Sequence, residues 1–159
     1  MPESRSQAFL DACPDKDMAA LLNTWSLHAK PHQIAGSDDW LIWLLLGGRG
    51  AGKTRTGAEW VREQVLHNGK SRIALVAPTY QDAREVMIEG ESGLRNIGYP
   101  SERPDYAVSR RRLIWPNGAV GMCSQVKTQM GYAARNLVVL GRMSFALGLI
   151  LRRRSLIYV

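Results

Sequence analysis

A glycine-rich octapeptide, GGRGAGKT at residues 47–54, constrains the fold of this chain more than any other segment. Two of its glycines are five positions apart and are followed directly by a lysine and a threonine, which is the phosphate-loop pattern. A short apolar run at residues 40–46 precedes it, and helix-forming residues 53–67 follow it. A strand that turns tightly into a helix is the structural context that this pattern requires.

The residue types in the octapeptide suit the binding of a triphosphate. Glycines allow successive backbone N–H groups to face inward around phosphates, and the following helix adds the positive end of its dipole. Lys53 has the reach to contact the β- and γ-phosphates, and the Thr54 hydroxyl is a ligand for Mg²⁺. The predicted contacts are Gly47, Gly48, Arg49, Gly50, Ala51, Gly52, Lys53 and Thr54. The alternative is a plain glycine-rich turn between a strand and a helix.

Apolar periodicity and turn residues predict alternating strands and helices. Two short apolar runs are typical of buried strands in a parallel sheet: residues 40–46 and 72–77. Three segments have helical periodicity or composition: residues 17–29, 53–67 and 80–89. Asn117-Gly118 between residues 111–115 and 119–122 predicts a hairpin. The order predicts an α/β domain with a mainly parallel sheet.

The charge of the chain favours an acidic partner. The 159 residues carry a formal net charge of +7, and no Asp or Glu follows Asp105. This excess of positive charge favours nucleic acid over a membrane surface as the acidic partner. The N-terminus has no apolar signal core, and residues 143–151 are too few for the ~20 that a transmembrane helix needs. We expect no membrane association, and we interpret Cys13 and Cys123 as ordinary thiols in a reducing cytoplasm.

Three longer segments resemble one known family. They read WLIWLLLGGRGAGKTRTGAEWVRE, ALVAPTYQDAREVMIEGESGL and RRRLIWPNGAV, in that order along the chain. Together they resemble the N-terminal ATPase domain of the large terminase subunit of tailed bacteriophages and prophages, over roughly residues 31–123. That subunit pumps DNA into the empty capsid and cuts it. The resemblance therefore implies a P-loop NTPase-type fold and part of a DNA-packaging motor.

The resemblance also implies cofactors, partners and roles for single residues. ATP and Mg²⁺ are the implied cofactors. Arg49 is implied, with Lys53, in catalysis at the γ-phosphate, and a solvated cation is the alternative. Gln33 is implied as the contact to adenine, and a solvated loop residue is the alternative. The implied partners are double-stranded phage DNA, the small terminase subunit and the portal protein, in the cytoplasm of a bacterial host that carries the prophage.

The acidic half of an ATPase site is missing from its expected position. In the family, a strand after the hairpin ends in Asp-Glu, which holds Mg²⁺ and activates the attacking water. Residues 124–159 contain no carboxylate. We expect the sheet to be truncated before this second acidic (Walker B) strand, with little or no hydrolysis and no nuclease domain. The expected organisation is an N-terminal helix and adenine-side loop (1–39), a partial P-loop ATPase core (40–123) and a basic, apolar tail (124–159).

A change of reading frame near Cys123 would account for this tail. From Arg142 onward, a permitted choice of codons reads, shifted back by one base, as Asp-Glu-Leu-Cys-Ala-Trp-Ala-Tyr-Pro-Glu-Glu-Thr-Phe. From Val126, the same shift permits Glu-Asp-Pro-Asp-Gly-Leu-Arg-Gly-Pro-Gln. Both resemble the terminase segments at these places, including the missing Asp-Glu. The hypothesis is a frameshifted gene in a prophage remnant, in which residues 152–154 (RRR) have no selected function.

Two other functions remain open on the sequence. A small stand-alone P-loop nucleotide-binding protein would need a base-specific pocket and acidic partners, which the sequence does not indicate. A basic nucleic-acid-binding module without enzymatic activity would use the tail, and its DNA binding would weaken with salt. The basic run at residues 110–112 either contacts a DNA backbone or forms a solvated hairpin edge.

Overall fold

The computed structural model describes residues 13–35, 42–48, 50–125, 136–138 and 147–151. Its helices are α1 (Asp15–Asn23), α2 (Trp25–His28), α3 (Lys53–His67) and α4 (Tyr80–Asp82), which continues as a π-helical segment, Ala83–Ile88. Short 3₁₀ turns lie at Pro31–Gln33, Pro100–Glu102 and Val108–Arg110. The strands are β1 (Ile42–Leu46), β2 (Arg72–Ala77), β3 (Asp105–Ala107), β4 (Arg112–Ile114), β5 (Val120–Gln125), β6 (Asn136–Val138) and β7 (Leu147–Leu151). Arg49 and residues 152–154, singled out in the sequence, lie outside the described residues.

Helix α3 is the longest described helix, and its bounds are those predicted. It buries one face, on which Val61 and Val65 are a helical turn apart and both 0% exposed. It ends at Asn68-Gly69, where the chain turns back into β2. This face packs into the same core as Leu75 of β2.

The largest described sheet has five strands in the order β3-β4-β5-β2-β6. Within this sheet β2 pairs in parallel with β5 on one side and with β6 on the other, and Leu75 lies opposite both Cys123 and Val138. The predicted hairpin is present, because β4 and β5 pair antiparallel around residues 116–118, and β3 adds a further antiparallel strand. The α/β class is therefore confirmed. The sheet is mixed rather than mainly parallel, since the hairpin extends it with antiparallel strands.

Strand β1 corrects the prediction of a fully buried parallel strand at residues 40–46. It pairs antiparallel with β7 in a separate two-stranded sheet. Burial alternates along it, with Leu45 6% exposed between Leu44 and Leu46, which are 45% and 68% exposed. This is the two-residue period of a strand with one covered face. Because the residues of this run are all apolar, the sequence does not show the two-residue period. Backbone hydrogen bonding alone does not determine which strand pairs with β1.

Strand β6 corrects the expectation that the sheet stops before a further strand beside β2. Residues 136–138 pair in parallel with residues 73–75 of β2. Val138 is a β-branched residue of the kind enriched in strands, and none of residues 136–138 is acidic. The sheet therefore continues past β2, and the strand in this place has no carboxylate.

The other short elements follow their local signals. Thr79 caps α4, because its hydroxyl oxygen accepts a hydrogen bond of 3.0 Å from the backbone N–H of Asp82. The helix predicted over residues 17–29 is two helices instead. It is interrupted at Thr24, whose hydroxyl donates to the Ala20 carbonyl oxygen at 2.7 Å and whose backbone is extended. Threonine side chains compete in this way with the helical hydrogen bonds of the backbone.

Candidate nucleotide-binding site

The glycine-rich loop, residues 47–52, joins β1 to α3. Gly50 and Gly52 have φ angles of 80° and 78°, a left-handed conformation that glycine adopts without steric cost. Gly52 is the residue immediately before α3. Across the loop, a Cβ on Gly47 would lie only 2.7 Å from the Cβ of Ala51, so the two ends of the loop approach each other closely. The glycines at these positions are therefore required by the path of the backbone.

Lys53, the first residue of α3, folds back over this loop. Its ammonium nitrogen Nζ donates hydrogen bonds of 2.6 Å to the Gly47 carbonyl oxygen and 2.7 Å to the Gly48 carbonyl oxygen. The positive charge thus lies beside the loop and next to the N-terminus of a 15-residue helix. Proteins bind phosphate through ammonium groups and through the free N–H groups at a helix N-terminus.

The two threonines that follow have different surroundings. Thr54, the sequence candidate for a metal contact, is partly exposed in the first turn of α3. Thr56 is 0% exposed, and its hydroxyl donates to the Gly52 carbonyl oxygen at 3.0 Å. Thr56 therefore fixes the junction of loop and helix from inside the core. Sequence analysis did not identify it, because a helical threonine gives no signal of which carbonyl it contacts.

Gln33 is brought to the glycine-rich loop from eighteen residues earlier in the chain. Its side-chain nitrogen Nε2 donates to the Ala51 carbonyl oxygen at 3.3 Å, and its oxygen Oε1 accepts from the Lys30 backbone N–H at 2.9 Å. It is 8% exposed, and a Cβ on Gly52 would lie 2.6 Å from its Nε2. The structure therefore places Gln33 beside the predicted phosphate contacts, rather than in solvent. Arg49 is outside the described residues.

A network of charged side chains is centred on Glu59 of α3. Glu59, which is 4% exposed, forms ion pairs with Arg55 at 2.7 Å and with Arg62 at 3.4 Å. Arg62 also pairs with Glu102 at 2.7 Å. The pairs within α3 have the i,i+3 and i,i+4 spacing that sequence analysis can detect. The contact between Arg62 and Glu102 spans forty residues, and only the fold reveals it.

A second polar cluster lies at the hairpin, around Cys123. The Arg111 guanidinium lies 3.6 Å from the centroid of the Tyr80 ring, and Arg111 has the left-handed φ of 51°. Burial raises the pKa of the Cys123 thiol to about 11, opposed by a hydrogen bond with Tyr106 and by the charge of Arg111. Burial also raises the pKa of Tyr106. Over the described part of the chain, no three His, Cys, Asp or Glu side chains group as metal ligands.

The comparison with known families assigns the chain. Residues 44–139 match the family described as terminase large subunit, T4-like virus type, N-terminal. The chain belongs to this terminase family. The matched region begins within β1, includes the glycine-rich loop and α3, and runs through β6. No curated protein and no solved structure matches the chain.

The family assignment confirms the resemblance that the sequence segments indicate. It connects this terminase chain with phage DNA packaging. Within the described ranges, no helix is both long and apolar enough to cross a membrane.

Proposed function

We propose that this terminase chain is an ATP-binding part of a phage DNA-packaging motor, with a P-loop NTPase-type core and little or no ATP hydrolysis. The observation that carries the proposal is the position of Lys53. Its ammonium lies 2.6 Å from the Gly47 carbonyl oxygen, at the mouth of a loop with left-handed glycines and at the start of α3. This arrangement supplies cationic and N–H donors at one place, as triphosphate binding requires.

ATP fits the residues at hand. Lys53, whose ammonium contacts two loop carbonyl oxygens, would instead bind the β- and γ-phosphates, and backbone N–H groups of the loop would hold the phosphates. The Thr54 hydroxyl would hold Mg²⁺, which would neutralise phosphate charge. Arg49 would add a further cation at the γ-phosphate. Gln33, beside Gly52, would contact the adenine base.

Slow hydrolysis follows from the absence of a second acidic element. An ATPase of this type needs a carboxylate on a neighbouring strand to orient water and Mg²⁺. Strand β6 lies beside β2 and contains none, and no Asp or Glu follows Asp105 in the sequence. Glu59, the acid nearest to the loop in sequence, is already held by two arginines. A frameshift upstream of residue 142, in a prophage remnant, is our proposal for the origin of this absence.

DNA is the partner that the family assignment supports. Arg110 and Arg112 are exposed at the hairpin and take part in no ion pair among residues 13–35, 42–48, 50–125, 136–138 and 147–151. Together with Arg111, these two residues form a solvent-exposed basic patch where the chain enters β4. Contacts of such arginines with phosphates would make DNA binding weaken steeply with salt. The small terminase subunit and the portal protein are further proposed partners, by family.

Measurement of nucleotide binding and ATP turnover on the same sample tests the proposal. The purified chain is incubated with Mg²⁺ and ATP, and bound nucleotide and released phosphate are followed together. We expect saturable binding with phosphate release close to that of buffer alone. Turnover at about 1 s⁻¹ or faster, within the ordinary range for enzymes, would contradict the proposed lack of hydrolysis. Absence of binding would contradict the proposed site itself.

A further inference from the structure

The buried carboxylate of Glu59 has no part in the proposed chemistry, yet its burial requires an explanation. Glu59 is 4% exposed in the middle of α3. A buried carboxylate is costly unless it is paired, and an apolar residue at such a position is often at least as stabilising. Both of its oxygens are engaged, Oε1 by Arg55 at 2.7 Å and Oε2 by Arg62 at 3.4 Å. The carboxylate therefore sets the direction of two arginine side chains.

Both arginines contact the same stretch of chain before the glycine-rich loop. The Arg55 guanidinium lies 5.7 Å from the centroid of the Trp25 ring, a cation–π distance. The Arg62 nitrogen Nη1 donates to the Asn23 carbonyl oxygen at 3.3 Å. Glu59 thus holds the junction of α1 and α2 against α3 through two separate contacts.

The same stretch of chain ends at Gln33, which contacts the loop. From Trp25 the chain runs through α2 and the turn at Pro31–Gln33 to the contact between Gln33 and Ala51. Residues 23–33 are therefore fastened to the α3 region at both ends, by the arginines at one end and by Gln33 at the other. A shift of the first attachment would displace the second.

The amide of Gln33 has hydrogen-bonding capacity beyond its contacts in the described residues. These contacts use one of its two N–H groups and one of the two lone pairs of its oxygen. A remaining donor and a remaining acceptor on one planar group complement the donor and acceptor edge of a purine such as adenine. The phosphates of a nucleotide, by contrast, require only the loop and Lys53.

We propose that Glu59 is a positioning residue for base recognition: through Arg55 and Arg62 it holds residues 23–33 so that Gln33 meets the base of a bound nucleotide. This inference rests on the proposed ATP site. Glu59 itself contacts neither phosphate nor base. Its loss therefore reduces the preference for a nucleotide over a bare triphosphate and leaves phosphate binding intact.

The test compares two ligands by calorimetric titration of the full chain with Mg²⁺: ATP and inorganic tripolyphosphate. We expect the wild-type chain to bind ATP more tightly. Glu59→Gln retains the size of the side chain and removes its charge, and we expect it to weaken ATP binding about 10-fold while tripolyphosphate binding changes less than about threefold. Glu63→Gln, an exposed glutamate on the same helix, is the matched control and is expected to leave both affinities unchanged.

Two further variants separate positioning from general support of the fold. Trp25→Leu removes the ring beneath Arg55 without leaving a buried charge unpaired, and it is expected to reduce the preference for ATP in the same way, even where Glu59→Gln folds poorly. In a double-mutant cycle, Glu59→Gln added to Gln33→Ala is expected to cost no further ATP affinity, because Glu59 acts through Gln33.

The outcomes distinguish this inference from the proposed function. An equal loss of ATP and tripolyphosphate binding in Glu59→Gln and Trp25→Leu would overturn it, since Glu59 would then support the loop alone. An unchanged ratio of the two affinities would overturn it as well. A wild-type chain that binds tripolyphosphate as tightly as ATP overturns base recognition but not the phosphate site. A wild-type chain that binds neither ligand overturns both.

Discussion

The side-chain amide of Asn117 donates a hydrogen bond of 2.6 Å to the carbonyl oxygen of Val65. Val65 lies in the last turn of α3, where carbonyl oxygens have no partner within the helix. Asn117 also accepts from the Ala119 backbone N–H at 3.2 Å and so stabilises its own turn. The hairpin turn and the end of the helix that follows the glycine-rich loop are therefore joined by one side chain.

Replacement of Asn117 by Ala tests that connection. We expect Asn117→Ala to lower the free energy of unfolding by about 1–3 kcal/mol, because a partly buried carbonyl oxygen loses its donor and the turn loses its acceptor. Urea denaturation measures the change. Gln81→Ala, which removes an exposed amide on α4, is the control and should stay within about 0.5 kcal/mol of wild type. Equal stabilities of the two variants would show that the connection contributes nothing.

Leu75 is expected to be the apolar position of strand β2 at which substitution lowers stability most. It is 0% exposed on β2, between β5 and β6. Leu75→Ala should reduce the free energy of unfolding by about 2–5 kcal/mol through lost burial and a residual cavity. Leu66→Ala, at a position that is 46% exposed, should change it much less. Similar midpoints for the two variants in thermal or urea unfolding would contradict the placement of Leu75 in the core.

The two cysteines should differ in their reaction with iodoacetamide. Burial raises the pKa of the Cys123 thiol from 9.0 to about 11, so almost none of it is thiolate at pH 8 in the folded chain. Cys13 is partly exposed. We expect Cys13 to be alkylated at pH 8 and Cys123 only after unfolding in urea, as read by peptide mass analysis. Rapid alkylation of Cys123 in the folded chain would contradict its burial.

The raised pKa of the Cys123 thiol also predicts that the free energy of unfolding falls as pH rises. Between about pH 9 and pH 11 the folded chain keeps the Cys123 proton while the unfolded chain releases it, so unfolding becomes easier as pH rises. Below pH 9 both states are protonated and this contribution is fully retained. Urea denaturation of Cys123→Ser against wild type over this range isolates it. A pH dependence that is unchanged in the variant would contradict the assignment.

The nucleotide sequence tests the proposed change of reading frame. We expect the bases that encode residues 142–154, shifted back by one, to read Asp-Glu and the family-like residues that follow. The family match runs to residue 139, which is beyond Cys123. The bases that encode residues 124–139 therefore show whether the reading frame changes before or after this segment. A shifted frame with no resemblance to a terminase would reject the frameshift, and the missing carboxylate would then need another origin.

Local sequence signals predict the bounds of α3 and β2. They do not predict contacts between residues that are far apart in the sequence. Helix α3 and strand β2 have the predicted bounds because glycine and asparagine mark their ends and apolar periodicity marks their faces. The pairing of β1 with β7 was not predicted, since uniformly apolar residues do not encode a partner. The contact of Gln33 with Ala51 joins residues eighteen positions apart, which no local pattern specifies.

Calorimetric titration of the purified chain with ATP in the presence of Mg²⁺ tests the central claim most directly, with Lys53→Ala beside wild type. Lys70→Ala, which removes an exposed lysine just after α3, is the control for loss of charge. We predict saturable binding to wild type and Lys70→Ala, and binding at least about 10-fold weaker in Lys53→Ala, because charge-assisted hydrogen bonds to phosphate are lost. No binding to wild type, or equal binding to Lys53→Ala, would contradict the proposed nucleotide site.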